Sequence, residues 1–218
     1  HALQLKNQAE ATLLVDLIYP QTTFDPKEVE QDLLRLQDTL NAQPALGVIE
    51  LGAMKVLSRF GLTPDLTAGH SFGELAALAC AGAFTDEQFL DLAFQRGKCM
   101  AHASTGNGGM IAVLAPEKDV AALFHTNGIS LVPANRNTLN QIVYAGPIDQ
   151  IDLAEKVLAS NGFKAKKLQV GGAFHSPLME PARARLAGAE LRIDTRPGGG
   201  TCVRVRWPAS PADDTPGR

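Results

Sequence analysis

The stretch TAGHSFGELAAL, residues 67–78, leaves a folding chain few options. Ser71 stands between Gly69 and Gly73 in a G-x-S-x-G pattern, before a segment rich in Ala and Leu. A strand, a turn too tight for flanking side chains and a helix satisfy that pattern together. The pattern predicts a strand over residues 65–69, an elbow at Ser71 and a helix over residues 72–82. On such an elbow the Ser71 hydroxyl is exposed. The Phe72 N–H, at the helix start, points where negative charge can collect. The opposing reading is an ordinary helix start with a chance pair of glycines.

A serine needs a base to act as a nucleophile. The chain has five histidines. His1 is terminal, and His102 and His125 fall on predicted helices. His70 adjoins Ser71, but neighbouring side chains on a tight turn diverge, so it is read as a packing residue. His175 lies in GGAFHSPLM, a loop that follows a predicted strand and ends at Pro177. From the residues alone, His175 as base and His175 as packed side chain both remain open.

Residues 44–60 carry apolar side chains at helical spacing, stopped by Gly61. Thr85 is placed to cap a helix reaching about His102, with Gln88 as its capping-box partner. Strands are then expected over 110–115, 129–134, 140–145 and 164–170, with helices over 116–126 and 147–161. The order βαββαβ is that of a ferredoxin-like unit. Two glycine-rich hinges bracket it, GNGG from Gly106 to Gly109 and the pair Gly171 and Gly172. The expected organisation is an inserted subdomain at 106–170 within an α/β core formed by 1–105 and 171–182.

Composition changes near residue 183. Residues 1–182 hold 13 Lys and Arg against 19 Asp and Glu, whereas 183–218 hold 7 Arg, no Lys and 4 acids. A strand–loop–strand hairpin is expected over 190–207, and the Pro- and Asp-rich residues 208–218 are expected to be disordered. The net charge of −3 argues against nucleic-acid binding. No apolar run is long enough for a membrane span. Cys80, Cys99 and Cys202 are too scattered for a disulfide framework or a metal site, which suggests a reducing cytoplasmic setting with no metal or cofactor.

Three motifs occur in order: GHSFGE from Gly69, QRG from Gln95 and AFHSPLM from Ala173. Together they resemble the malonyl/acyl-CoA:acyl carrier protein transacylases, in particular the acyltransferase domains of type I polyketide and polyunsaturated fatty acid synthases. The resemblance covers about residues 10–182. It implies a hydrolase-like α/β fold with a parallel-sheet core, a nucleophile elbow and the ferredoxin-like insert. It implies Ser71 as acyl-accepting nucleophile, His175 as general base and acid, and Arg96 as the clamp for a substrate carboxylate. Phe174 and Phe72 would fill the space an α-methyl branch needs, favouring malonyl over methylmalonyl. The implied partners are malonyl-CoA and an acyl carrier protein, with no nucleic acid and no membrane.

The sequence departs from that family at both ends. A GQGSQ-like loop, whose Gln supplies part of the family's oxyanion hole, does not precede Ser71. The chain starts HALQLKN, similar to the region downstream of that loop. After AFHSPLMEPA it continues as ARARLAGAELRIDTRPGGGTCVRVRWP, which weakly resembles the final hairpin of histidine-kinase ATP-binding domains without their nucleotide motifs. The expectation is an acyltransferase truncated at both ends. Two rivals stay open. One is a serine esterase of the α/β-hydrolase type, with Asp149 or Asp152 as the acid. The other is an inactive fragment that docks a carrier protein, with Lys164, Lys166 and Lys167 as candidate contacts or simply a solvated strand end.

Overall fold

The computed structural model describes residues 14–104, 106–187, 190–196 and 200–206. Five helices come first: α1 (Leu14–Ile18), α2 (Pro26–Gln37), α3 (Thr39–Arg59), α4 (Phe72–Cys80) and α5 (Asp86–Ala103). Asp25 caps α2, its side chain accepting from Lys27 N–H, and Pro26 takes the first helical position. Asp38 caps α3 in the same way. The helix therefore starts ahead of Pro44, where the periodicity places its first residue. Pro44 inside the helix forfeits one backbone bond, and the cap at Asp38 still sets the start. Gly61 has φ 77 just past the C-cap, the left-handed stop expected of it. The capping box of Thr85 and Gln88 forms as expected.

Helices α3, α4 and α5 close around Phe72, Phe89 and Ala93, with Phe89 and Ala93 wholly buried. Burying a side chain of Phe size contributes about 1.5–3 kcal/mol. Helix α5 comes close enough to α3 that a Cβ at Gly97 would lie 2.9 Å from the Thr39 carbonyl oxygen. That contact seats the neighbouring Arg96 against α3.

The expected strand over 65–69 is irregular chain with no ladder, and Leu66 is 92% exposed. A strand exists through its neighbours, and no described segment runs beside this one. Among the described residues no strands pair in parallel.

From residue 108 the chain builds β1 (Gly108–Leu114), α6 (Glu117–Thr126), β2 (Val132–Thr138), β3 (Gln141–Pro147), α7 (Ile148–Ser160) and β4 (Lys164–Lys167). The order βαββαβ is the expected one, and the four strands form an antiparallel sheet in the order β2-β3-β1-β4. Strand β2 begins three residues later than the apolar pattern places it, because Ile129 is spent capping the core under α6. Strand β4 is shorter than expected, leaving Leu168–Gly171 as connecting chain. One face of the sheet is covered by α6 and α7 around Ile111, Val113, Val120, Ile142, Ile151 and Leu158. The other face, carrying Met110, Val143 and Ala145, receives Ala173 and Phe174.

After a short 3-10 turn at Pro177–Met179, α8 (Glu180–Ala187) packs on α5. Strands β5 (Glu190–Arg196) and β6 (Gly200–Arg206) pair as a hairpin, close to the expected positions. Residues 208–218, expected to be disordered, lie outside the described residues, as does His1. Among the described residues no helix is long and apolar enough to cross a membrane.

Because the α3–α5 contact leaves no room for a methyl group, Gly97→Ala should force the helices apart. The expected cost is about 1–3 kcal/mol, read as a lower denaturant midpoint at unchanged m-value.

Candidate active site

The chain turns so sharply into α4 that a Cβ at Gly69 would lie 1.9 Å from the Gly73 carbonyl oxygen. No side chain fits there, which explains the first glycine of the pattern. Ser71 takes φ 56 and ψ −109, a left-handed conformation rare for a residue with a side chain. It stands at the N-cap of α4, yet its hydroxyl makes no capping bond. The hydroxyl is left free for other partners. The turn is held by the backbone instead: the Gly73 N–H donates to the His70 carbonyl at 3.0 Å and the Glu74 N–H to the Ser71 carbonyl at 3.2 Å. Among the described residues the Phe72 N–H has no acceptor, and it opens the N-terminus of α4.

His175 comes to this hydroxyl across 104 residues. Its Nε2 and Ser71 Oγ are 2.9 Å apart, the hydroxyl donating when the ring nitrogen is unprotonated. His175 also has positive φ, 59. Its loop is braced by Ser176, whose buried hydroxyl donates to the Ala173 carbonyl at 2.6 Å and accepts the Leu178 N–H at 3.2 Å. Desolvation lowers the His175 pKa below the ordinary imidazole value. The Arg96 charge and, less strongly, His70 act the same way, while Glu74 opposes them. The ring is thereby kept in the neutral form that can accept a proton.

Arg96, on α5, is the third group. One guanidinium nitrogen donates to Gln43 Oε1 and the other approaches Ser71 Oγ at 3.5 Å. The guanidinium also lies over the Phe72 ring, 5.9 Å from its centroid. Burial lowers the Arg96 pKa, with Glu74 opposing. Among the described residues Arg96 makes no salt bridge.

Ser71, His175 and Arg96 thus converge on one hydroxyl. Phe72 behaves differently from Phe174. Its ring is 5% exposed and packed against Phe89, so it reaches the site only as the floor under Arg96. Phe174 is partly buried against the sheet face beside His175. Asp152 is tied to Lys167 at 2.5 Å within the βαββαβ unit and does not orient His175, which removes one acid of the esterase reading. His102 and His125 stand on helices and are exposed.

Two residues of the site escape a reading of the sequence. Gln43 is a buried polar side chain on α3 that holds Arg96. Its signal is an amide one turn before Gly47 and one turn after Thr39, on the side of α3 that is buried. Asn135, on β2, lies 3.0 Å from His70 through its Nδ2 and the ring Nε2. The sequence offers no signal for it, because the expected strand ends at residue 134.

Residues 6–198 match the acyl transferase domain family. The malonyl CoA-acyl carrier protein transacylase of Bacillus subtilis is 36% identical over 191 residues, covering 85% of this chain and 58% of that protein. A polyketide biosynthesis protein of Burkholderia thailandensis is 40% identical over 157 residues, 68% of this chain and 13% of that protein. A malonyl-transacylase solved in complex with a type II polyketide synthase acyl-carrier protein superposes with a TM-score of 0.66 at 30% identity, over 80% of this chain and 58% of that one. The chain spans less than two thirds of the length of each of these proteins. With the α/β fold that the solved relatives share, the matched span makes this chain a member of the acyltransferase domain family.

Proposed function

We propose that the chain transfers a malonyl group from CoA to the phosphopantetheine thiol of an acyl carrier protein, through an acyl-serine on Ser71, in polyketide or fatty acid synthesis. The observation that carries this reading is a half-buried cation that makes no salt bridge among the described residues. Arg96 is held by a neutral amide and an aromatic face, beside the same hydroxyl that meets His175. A carboxylate on the acyl group supplies the direct ion pair, and the planar guanidinium suits a bidentate one.

The chemistry runs in two balanced halves. His175 Nε2 takes the Ser71 proton as Oγ attacks the thioester carbonyl. The carbonyl oxygen becomes an oxyanion facing the Phe72 N–H at the start of α4. The C–S bond breaks, CoA leaves as a thiolate, and the His175 proton goes to its sulfur. In the second half His175 takes the proton of the carrier's thiol, whose sulfur attacks the ester. Ser71 leaves and regains its proton. Phe174, next to His175, restricts the room at the α-carbon and favours malonyl over a branched acyl group by about 1–3 kcal/mol.

The reading assigns residues 1–105 and 171–182 to the catalytic core and 106–170 to the insert. An acidic carrier would meet Lys164 and Lys166, which are exposed on edge strand β4, whereas Lys167 is engaged by Asp152 and Glu155. A cytoplasmic setting goes with this chemistry, and Cys80 and Cys99 are free thiols.

Incubated with malonyl-CoA, the chain should gain the mass of one malonyl group. Ser71→Ala should gain none, and His175→Ala should slow the gain by about 10²-fold or more. An adduct that persists in Ser71→Ala would refute the assignment. The acylation rate should rise with pH as His175 loses its proton, with a midpoint below that of an ordinary imidazole because burial and the Arg96 charge lower its pKa. Arg96→Ala removes one cause of that lowering, so its midpoint should move up.

A further inference from the structure

Ser71 and His175 ride on different parts of the molecule. Ser71 opens α4, whose next residue, Phe72, is buried in the helical cluster with Phe89 and Ala93. The His175 loop lies on the open face of the sheet, where Ala173 and Phe174 pack with Met110, Val143 and Ala145. The chain after His175 returns to the helices, where α8 packs on α5, but the loop before it rests on the sheet, so the distance between hydroxyl and imidazole depends on how the sheet sits against the helices. One hydrogen bond does not fix an orientation. This particular bond also cannot last through the reaction, because Ser71 Oγ has no proton to donate once it is esterified.

Another side-chain hydrogen bond crosses the same junction. Asn135 Nδ2 lies 3.0 Å from His70 Nε2, at the residue just before the nucleophile. The amide can donate to the ring nitrogen or, turned over, accept from it, so the tie survives either imidazole tautomer.

The geometry of β2 supports a built contact. Val132 pairs with Ala145 and Pro133 with Tyr144, but the register then shifts and Asn135 pairs with Val143. Opposed residues in an antiparallel ladder share a face. Simple alternation from Val132 would turn residue 135 toward the helix-covered face. The bulge turns Asn135 to the face of Val143, where the His175 loop sits, as bulges beside functional sites do. Alternation then resumes. Arg136, opposite Ile142, reaches Glu117 on α6, on the sheet's other side, at 2.6 Å. On the elbow side the His70 carbonyl already accepts the Gly73 N–H at 3.0 Å, so the residue is held at both its backbone and its ring.

We propose that Asn135 and His70 form a latch that sets the inserted sheet against the nucleophile elbow, and so act as positioning residues for the activation of Ser71 by His175. The latch uses no reacting atom, so it holds while the serine is acylated. This inference deepens the acyl-serine reading and rests on it for the roles of Ser71 and His175.

The test is the rate at which a fluorophosphonate probe labels Ser71 in the full chain, a reaction that needs an activated serine and no CoA ester. Asn135→Ala and His70→Ala should each slow labelling about five- to tenfold, the scale of one lost hydrogen bond. The double variant should be no slower than either single one. His70→Gln, which keeps a hydrogen-bonding group at the place of Nε2, should label near the parent rate. If His70→Ala lowers the denaturation midpoint, the comparison passes to Asn135→Ala and Asn135→Asp, the second of which keeps an acceptor for the ring. Single variants at the parent rate would overturn the latch. So would losses that multiply in the double variant, or a parent chain that the probe does not label at Ser71. A chain that the probe labels but malonyl-CoA does not acylate would refute the proposed substrate and leave the latch standing.

Discussion

A serine hydroxyl and an imidazole nitrogen meet at 2.9 Å, and both belong to residues with left-handed backbone. Such conformations are costly for residues with side chains, and they persist only where the surroundings over-determine them. The surroundings here are specific. Gly69 and Gly73 pass too closely for any side chain at Gly69, the start of α4 ties down the carbonyls of His70 and Ser71, and the Ser176 hydroxyl closes the loop around His175. The helices and the sheet are arranged so that two strained turns from distant parts of the chain face each other.

Arg96 gives the site its chemical bias. A guanidinium drawn partly out of water is ordinarily matched by a carboxylate. Here its partners are the Gln43 amide, the Phe72 ring and the Ser71 hydroxyl, all uncharged. Among the described residues Glu74 acts on the cation only through its charge, and no carboxylate is in direct contact with it. The Arg96 charge lowers the His175 pKa, so the group read as binding the substrate also helps keep the base neutral. The close approach at Gly97 lets α5 carry Arg96 this near to α3.

Local signals in the sequence are readable wherever a local rule sets the structure. The elbow glycines, the Thr85–Gln88 capping box, the left-handed stop at Gly61 and the alternation of strands and helices after residue 108 all depend on neighbours in sequence. The proximity of Ser71, Arg96 and His175 is legible only through three motifs resembling a family, since no local pattern says that residues 104 apart will touch. What escapes depends on register or on absent neighbours. Residues 65–69 have strand composition but no described strand beside them. Asn135 faces the elbow only because β2 slips by one residue. Gln43 sits one residue before Pro44, which masks the true start of α3.

Arg96 is the group proposed to select the acyl chain. The most direct measurement is the ratio of Ser71 acylation rates with malonyl-CoA and acetyl-CoA, in the parent chain and in Arg96→Ala. The account predicts a strong malonyl preference in the parent and a fall of about a hundredfold in that ratio in the variant, because the neutral acyl group never used the cation. A ratio that Arg96→Ala leaves unchanged would contradict it.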